Sequence, residues 1–265
     1  MDDIKVKEIN IKDYVTISKL PSCDYVINPY VGCTHSCMYC YARFMKRFTN
    51  HNEEWGKFID IKICNNSINK NKLKGKTVVL SSVTDCYNEY EEKYKITRNI
   101  LEQLKDIYCE VNIITKSKLI IRDIDLLKQF KMLTVSISIN TADETFKNDM
   151  DKASSIKNRI ETLKILKENN IHTVLFMSPI FPYITDWKKI IELTKDYVDE
   201  YWFENLNLRA DYKITILNYI KNKYSKYYNK YLEIYNNNDL SYWKNLSVEI
   251  EEYCKMNNIK YKNYF

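Results

Sequence analysis

Six short apolar segments, rich in Val, Ile and aromatic residues, alternate along the chain with longer segments of mixed polarity. Apolar runs of this length and composition are typical of buried β-strands. The pattern predicts strands at residues 24–28, 77–81, 111–115, 133–139, 173–177 and 201–206.

Helical patterns lie between these strands. Apolar residues from Ile156 to Leu166 recur at helical offsets behind a Ser154-Ser155 cap, and Asp186 is placed to cap a second helix. Strands and helices in strict alternation favour an α/β fold with a parallel sheet. Periodicity alone does not say whether the sheet closes.

Both ends of the chain carry additional elements. Residues 4–17 alternate roughly in polarity and predict a small N-terminal hairpin, and residues 44–71 predict an excursion over the preceding loop. Helical periodicity returns at 217–235 and 243–253, and an edge strand is expected at the end. We therefore expect N-terminal strands (1–22) that pack on the barrel, the barrel (23–210), and C-terminal helices with an edge strand (211–265) in the same domain.

Composition removes several function classes. The chain has only three glycines, none in tandem, so it has neither a P-loop nor a G-x-G-x-x-G turn. No apolar run reaches about 18 residues, and the N-terminus lacks a signal-peptide layout, so we expect a cytoplasmic location and no membrane partner. Eight cysteines in such a chain indicate metal binding rather than disulfides.

Residues 212–232 contain five lysines interleaved with tyrosines, and this segment has no acidic residue. The simplest interpretation is a buried tyrosine stripe with a wet lysine face. A nucleic-acid surface and a docking face for an acidic electron donor are the alternatives.

Three cysteines carry the strongest chemical signal. Cys33, Cys37 and Cys40 are spaced C-x3-C-x2-C, so one short loop can bring them to one metal centre. Structural zinc requires four protein ligands, and ferredoxin motifs use four cysteines in another spacing. A zinc knuckle that includes His35 is the competing interpretation, although its spacing is unusually tight.

Together with its flanks, this motif resembles the radical S-adenosylmethionine (SAM) family, in the branch related to spore photoproduct lyase. The resemblance is carried by residues 28–43, 82–85, 87, 114–117, 122–125, 138–140 and 178–182. It implies a partial (β/α)6 barrel with the site at the carboxyl ends of the strands. It also implies a 4Fe-4S cluster with one open iron for SAM, from which an electron releases a 5′-deoxyadenosyl radical.

The resemblance also implies residue roles. Cys33, Cys37 and Cys40 would hold the cluster, and Thr84 or Asp85 would take the place of the family's motif for the amino group of SAM. The expected SAM contacts are Tyr39, Thr84, Asp85, Lys116, Ser117, Ser138, Asn140, Arg159, Asn205 and Asn207.

The substrate is the least determined part. Among small members of this branch the sequence most resembles queuine lyases, which cut the C–N bond of queuine and release 7-aminomethyl-7-deazaguanine (preQ1). Such a base needs an acid for its donor edge and aromatic rings for its faces. The candidates are Tyr87, Phe181, Tyr183, Asp186, Glu204, Arg209, Asp211 and Tyr212.

Other functions stay open at this point. Repair of a DNA lesion, or other chemistry on nucleic acid, is the main alternative, with Cys86 as a hydrogen donor. An iron–sulfur electron carrier and a zinc-bound interaction module are two more. Radical chemistry would also require an electron donor such as flavodoxin or ferredoxin.

Overall fold

The computed structural model describes residues 4–20 and 23–265, except for the side chains of residues 210 and 211. Its strands are β1 (Lys5–Asn10), β2 (Val15–Ile17), β3 (Tyr25–Ile27), β4 (Tyr30–Val31), β5 (Phe58–Ile63), β6 (Thr77–Leu80), β7 (Glu110–Thr115), β8 (Leu133–Ser138), β9 (His172–Ile180), β10 (Glu200–Asn205) and β11 (Tyr261–Asn263). Its α-helices are α1 (Lys70–Leu73), α2 (Glu91–Tyr94), α3 (Ile96–Leu104), α4 (Ile124–Leu127), α5 (Glu144–Met150), α6 (Ile156–Glu168), α7 (Trp187–Thr194), α8 (Ala210–Lys223), α9 (Tyr228–Tyr235) and α10 (Ser241–Met256). Short 3₁₀ helices span Tyr41–Phe48, Lys118–Asp123 and Ser225–Tyr227.

All six predicted strands are present, and they form one parallel array in the order β3-β6-β7-β8-β9-β10. This array is the centre of an eight-stranded sheet with β11 added in parallel at one edge and β2 antiparallel at the other. The predicted α/β partial barrel is confirmed. Within the described residues the edge strands do not pair with each other, so the barrel is open.

The N-terminal pairing differs from the hairpin predicted within residues 4–17. β1 pairs in parallel with β5, which arises from the polar excursion, and β2 pairs antiparallel with β3. β1, β5 and β4 form a separate three-stranded sheet. The antiparallel pair is therefore β2–β3, one strand later than predicted. The partner of β1 lies about fifty residues away in the sequence, and local alternation contains no information about such a distant pairing.

Burial separates the two faces of the sheet. In β7, Val111, Ile113 and Thr115 are buried, whereas Asn112 and Ile114 between them are partly exposed. The buried set faces the helices, among them α6, which packs on β8 and β9. The partly exposed set lines the concave inner face, so this face is open to small molecules.

The helix caps agree with the prediction. Ser155 accepts a hydrogen bond from the N–H of Asn158 at the start of α6, and Asp186 accepts one from the N–H of Lys189 at the start of α7. The C-terminal tyrosines are largely a packing stripe, since Tyr231 is fully buried while Lys226 is exposed. The helix predicted over 217–235 is divided into α8 and α9 by the 3₁₀ turn at 225–227.

Candidate active site

The loop that carries the three thiols follows β4 and depends on a glycine at its entry. Gly32 has φ +87°, and a Cβ on it would lie 2.4 Å from the carbonyl oxygen of Phe58. A side chain at this position would therefore be strained and would also clash with backbone. The turn directs Cys33 into a small apolar cluster with Trp55 and Phe58.

Neighbouring segments fix the backbone of this loop. The N–H of Met38 donates to the carbonyl of Met150 at 2.8 Å, and the N–H of Lys152 donates to the carbonyl of His35 at 2.8 Å. The Thr84 hydroxyl donates to the carbonyl of Gly32. The loop is thus held from the end of α5 and from the segment after β6.

The thiols form a coupled, sheltered set. Cys33 and Cys37 are buried and Cys40 is partly buried. Burial raises the pKa of Cys33 to about 12. Cys33 interacts electrostatically with Cys40, and Cys37 interacts with both. Burial also raises the pKa of Cys40, while the N–H groups of Ala42 and Trp55 and the charge of Lys116 favour its thiolate. Such groups become ligands only when a cation compensates their charge.

The arrangement argues against the zinc knuckle. A closed zinc site would need His35 as a fourth ligand beside the three thiols. His35 Nδ1 instead lies 3.2 Å from Asp85 Oδ2. Because His35 is engaged by Asp85, the loop offers the three thiols Cys33, Cys37 and Cys40, and this donor set fits a 4Fe-4S cluster with one open iron.

Asp85, expected at the amino group of SAM, is the centre of a hydrogen-bond network. Its carboxylate accepts hydrogen bonds from the hydroxyl of Thr115 at 2.7 Å and from the N–H groups of Lys116 at 2.8 Å and Tyr87 at 2.9 Å. Burial alone would raise its pKa, but His35 and these donors outweigh burial and hold the pKa at about 2. Asp85 thereby ties the thiol loop to the end of β7.

Lys116 follows β7 and occupies the centre of the site. Its ammonium lies 6.0 Å from the centroid of the Tyr39 ring. It also interacts electrostatically with Cys37 and with Glu204 across the barrel. Ser117, the next predicted SAM contact, caps the following 3₁₀ helix by accepting a hydrogen bond from the N–H of Leu119.

At the end of β8, Ser138 and Asn140 are each 2% exposed. Within residues 4–20 and 23–265, the Nδ2 amide of Asn140 has no hydrogen-bond partner. A buried amide without a partner is costly. Its position just after β8, at the carboxyl end of a parallel strand, fits a contact with a bound cofactor.

The hydrogen bonds of Arg159 go to other groups of the protein. The side chain is 1% exposed, and its guanidinium donates to Asp151 at 2.6 Å and to the carbonyls of Ser154 and Ser138. Asp151 also accepts a hydrogen bond from the hydroxyl of Tyr39 at 3.3 Å. Arg159 therefore supports the loop from below.

Of the site residues predicted on the sixth parallel strand, some lie within β10 and others lie beyond its end. β10 ends at Asn205 after a register shift that begins at Phe203, so Asn207 and Arg209 lie beyond the strand. Both are exposed, and Arg209 Nε donates to Asn207 Oδ1 at 3.0 Å. Asn207 and Arg209 therefore do not continue the strand toward the concave interior, whereas Glu204 of β10 is a polar side chain that faces it.

The remaining substrate candidates occupy different places. Tyr87 and Phe181 are fully buried, the first donating to Asp123 at 3.1 Å and the second packing edge-on to Tyr39 at 5.6 Å. Tyr183 and Asp186 line a separate cavity of about 730 Å³ near α9 and α10.

Two candidates lie near the start of α8. Tyr212 is buried, and its hydroxyl donates to the carbonyl of Asn207 at 2.6 Å. The side chain of Asp211 lies outside the described residues. Cys86, the candidate hydrogen donor for lesion repair, is fully buried within the main apolar core.

Sequence reasoning missed Tyr41 and Ser178. The hydroxyl of Tyr41 donates to the carbonyl of Ser82, and Tyr41 interacts electrostatically with Cys40 and Glu204 although its side chain is 57% exposed. The Ser178 hydroxyl donates to Glu204. Position offered a signal for both: Tyr41 directly follows the third thiol, and Ser178 lies in a segment quoted for the family resemblance.

Comparison with known proteins agrees with this geometry. The profile of the radical SAM superfamily matches residues 27–194, and the chain belongs to that superfamily. An uncharacterized protein of Methanocaldococcus jannaschii is 40% identical over 227 residues, covering 85% of this chain and 86% of that protein. An uncharacterized protein of Acidianus two-tailed virus is 30% identical over 192 residues, covering 68% and 63%.

Solved structures show the same fold. A spore photoproduct lyase variant with bound AdoMet and dinucleoside spore photoproduct has a TM-score of 0.60 at 15% identity, covering 83% of this chain and 66% of that chain. SuiB of Streptococcus suis bound to S-adenosylmethionine has a TM-score of 0.58 at 16% identity, covering 91% and 50%. The chain thus spans about half to two thirds of these structures.

Membership of the superfamily establishes the cofactors, a 4Fe-4S cluster and SAM, and the protein is a radical SAM enzyme. Throughout residues 4–20 and 23–265, none of the helices has the length and apolar character needed to span a bilayer.

Proposed function

We propose that this enzyme abstracts a hydrogen atom from a nucleobase-type substrate held on the concave face, and that the substrate is queuine. The observation that carries the proposal is Glu204, a carboxylate on the inner face of β10 opposite Lys116 and bonded to Ser178. A carboxylate accepts well from two adjacent N–H groups, which is the pattern on the donor edge of a 7-deazaguanine.

Bound together, the cluster and SAM supply a 5′-deoxyadenosyl radical. The residues of this chain then have three tasks. Cys33, Cys37 and Cys40 hold the cluster, and the free amide of Asn140 with the charge of Lys116 orients SAM. Glu204 orients the base, so that the hydrogen to be removed faces the cofactor. The reaction proposed is cleavage of the C–N bond of queuine: the hydrogen removed from the cyclopentenediol ring is returned to the nitrogen of the released preQ1, and the ring leaves with one additional double bond, which is a lyase reaction.

Repair of a DNA lesion is the second candidate, favoured by the structural likeness to spore photoproduct lyase. That role would require a hydrogen donor next to the substrate. Cys86 is fully buried, which makes this candidate the weaker of the two.

The reaction also needs a low-potential electron, which we propose comes from flavodoxin or ferredoxin. The 3₁₀ helix Tyr41–Phe48 begins directly after Cys40 and contains no acid. It exposes Phe44 and Phe48, and the guanidinium of Arg47 lies 4.7 Å from the centroid of the Phe48 ring. A basic and aromatic surface next to the cluster suits an acidic electron donor.

Anaerobic reconstitution tests the proposal. The protein should bind about four irons per chain and form 5′-deoxyadenosine with dithionite and SAM, and addition of queuine should yield preQ1. Replacement of Cys37 by Ala should abolish cluster binding, whereas Cys64→Ser should leave it intact. Turnover of ultraviolet-irradiated DNA without turnover of queuine would overturn the queuine assignment.

A further inference from the structure

Three aromatic side chains meet on the inner face of the sheet, one level below Glu204. Phe176 of β9 lies 5.8 Å from Trp202 of β10, and Tyr264 after β11 lies 6.0 Å from Trp202 and 6.3 Å from Phe176. All three contacts are edge-to-face. We call this set the aromatic floor.

The register of the strands places the floor in the same chamber as Glu204. Trp202 is paired with Phe176, and Glu204 follows Trp202 by two residues, which returns the side chain to the same face. Tyr201 and Phe203 point the other way, where Tyr201 meets Thr194 and Phe203 meets Trp187.

Among the residues that the structure describes, the indole N–H of Trp202 has no hydrogen-bond partner, although Trp202 is only 9% exposed. Buried indole N–H groups usually find an acceptor. The ring is fixed on its other side by β11, since Lys262 is paired with Trp202 and its ammonium lies 4.9 Å from the indole centroid. Reorientation to find a partner elsewhere is therefore restricted.

The floor is open to ligands. Tyr264 is 47% exposed and Phe176 is partly exposed. Tyr264 is nevertheless held in place, because its N–H donates to the carbonyl of Phe203 at 2.9 Å. The floor thus combines partly exposed rings with an N–H donor that lacks an acceptor among the described residues.

We propose that the aromatic floor is a substrate subsite for a planar heterocycle that carries a hydrogen-bond acceptor. The indole N–H of Trp202 recognises the acceptor, Glu204 recognises neighbouring N–H donors, and Phe176 and Tyr264 cover the ring. Side chains two residues apart in a strand are separated by about 7 Å, which suits the two ends of one base edge. This inference rests on the proposed nucleobase-type substrate and defines how the ring is selected.

Binding of queuine, guanine and uracil to the reconstituted, SAM-loaded protein tests the inference. We expect Trp202→Phe, which keeps the ring but removes the donor, to weaken binding of a base by about 5- to 100-fold. Tyr264→Ala should weaken binding as well. Trp243→Phe, an indole of α10 outside the chamber, is the matched control, and SAM affinity should stay at its original value in all variants.

The outcomes separate this inference from the queuine assignment. If guanine or uracil binds and queuine does not, and Trp202→Phe lowers that affinity, queuine lyase fails and the subsite stands. If queuine binds and reacts equally in the original protein and in Trp202→Phe, the subsite is wrong and the function stands. Failure of all three bases to bind to the original protein would overturn the subsite.

Discussion

The carboxylate of Asp151 lies 2.6 Å from the guanidinium of Arg159, and both side chains are almost completely buried. The same carboxylate accepts a hydrogen bond from Tyr39, the residue before the third thiol. Lys147, also buried, lies 3.5 Å from it. This buried network joins the end of α5 and the start of α6 to the loop that carries the thiols.

Replacement of Asp151 by Asn should therefore destabilise the protein and release the loop. Two buried cations would lose their anion, and breaking a buried pair costs about 3–5 kcal/mol. We expect a fall of that size in the free energy of unfolding, measured with urea, together with a lower iron content after reconstitution. Glu161→Gln, at an exposed site on α6, should change neither quantity. Full cluster loading in Asp151→Asn would show that the network does not support the loop.

Gly32→Ala tests the entry turn of the thiol loop against a matched site. Gly32 and Gly75 both have positive φ, but a Cβ on Gly32 meets the carbonyl of Phe58 at 2.4 Å whereas one on Gly75 meets nothing within 4 Å. Each substitution should cost about 1 kcal/mol for the backbone conformation. Gly32→Ala should cost more and should also reduce iron content, read from the absorbance of the cluster. Equal iron contents would refute a specific role for the turn.

Glu204→Gln should weaken queuine binding by about 10- to 100-fold, because a charged acceptor is replaced by a neutral amide. Binding isotherms with queuine measure the effect. Ser178→Ala is the comparison that removes the partner of Glu204 but keeps its charge, and it should have a smaller effect. Unchanged affinity in Glu204→Gln would remove the observation that carries the proposed function.

The pH dependence follows from the same carboxylate. Burial raises the pKa of Glu204, with Ser178 and Lys116 opposing, and Tyr41 and Tyr264 also face it. The folded state then binds more protons than the unfolded state, so this group's contribution to stability falls as pH rises from the ordinary glutamate pKa through the raised one. Queuine affinity should rise over the same range. Glu204→Gln should flatten both profiles.

Arg47→Glu should slow reduction by flavodoxin without affecting the chemistry. Reversing one charge on a docking surface changes mainly the association rate and its salt dependence. We expect the second-order rate constant with flavodoxin to fall about 5- to 10-fold, while dithionite-driven formation of 5′-deoxyadenosine stays constant. Lys226→Glu, at an exposed site of the alternative basic surface, is the control. Slowing by Lys226→Glu alone would move the docking site to that surface.

The sequence predicted the parallel strands well because each is a short buried run with its own apolar signal. Pairings between segments that are distant in the sequence, such as β1 with β5, could not be predicted. Local patterns also did not predict that β10 ends at Asn205, so that Asn207 and Arg209 lie beyond the strand, or that its pairing with β9 shifts register after Phe203. Local alternation describes an ideal strand and contains no information about a bulge.

For the site as well, local features could be predicted and long-range contacts could not. The thiol spacing is local and is read directly, whereas the partner of a buried charge is not. Arg159 was expected at the cofactor, but its guanidinium donates to Asp151 and to two carbonyls of the protein itself. The unpaired indole of Trp202 gives no signal in the sequence, because an apolar strand residue looks the same whether or not its donor is satisfied.

Because the two edges of the eight-stranded sheet are not joined, the inner face is an open groove (the trough) rather than the interior of a closed barrel. Within the described residues, β2 and β11 border this trough on opposite sides without bonding to each other. A ligand can therefore enter sideways and leave part of its length outside. The same chamber geometry could accommodate a free base or a base still attached to a longer polymer, with only the ring reaching Trp202 and Glu204.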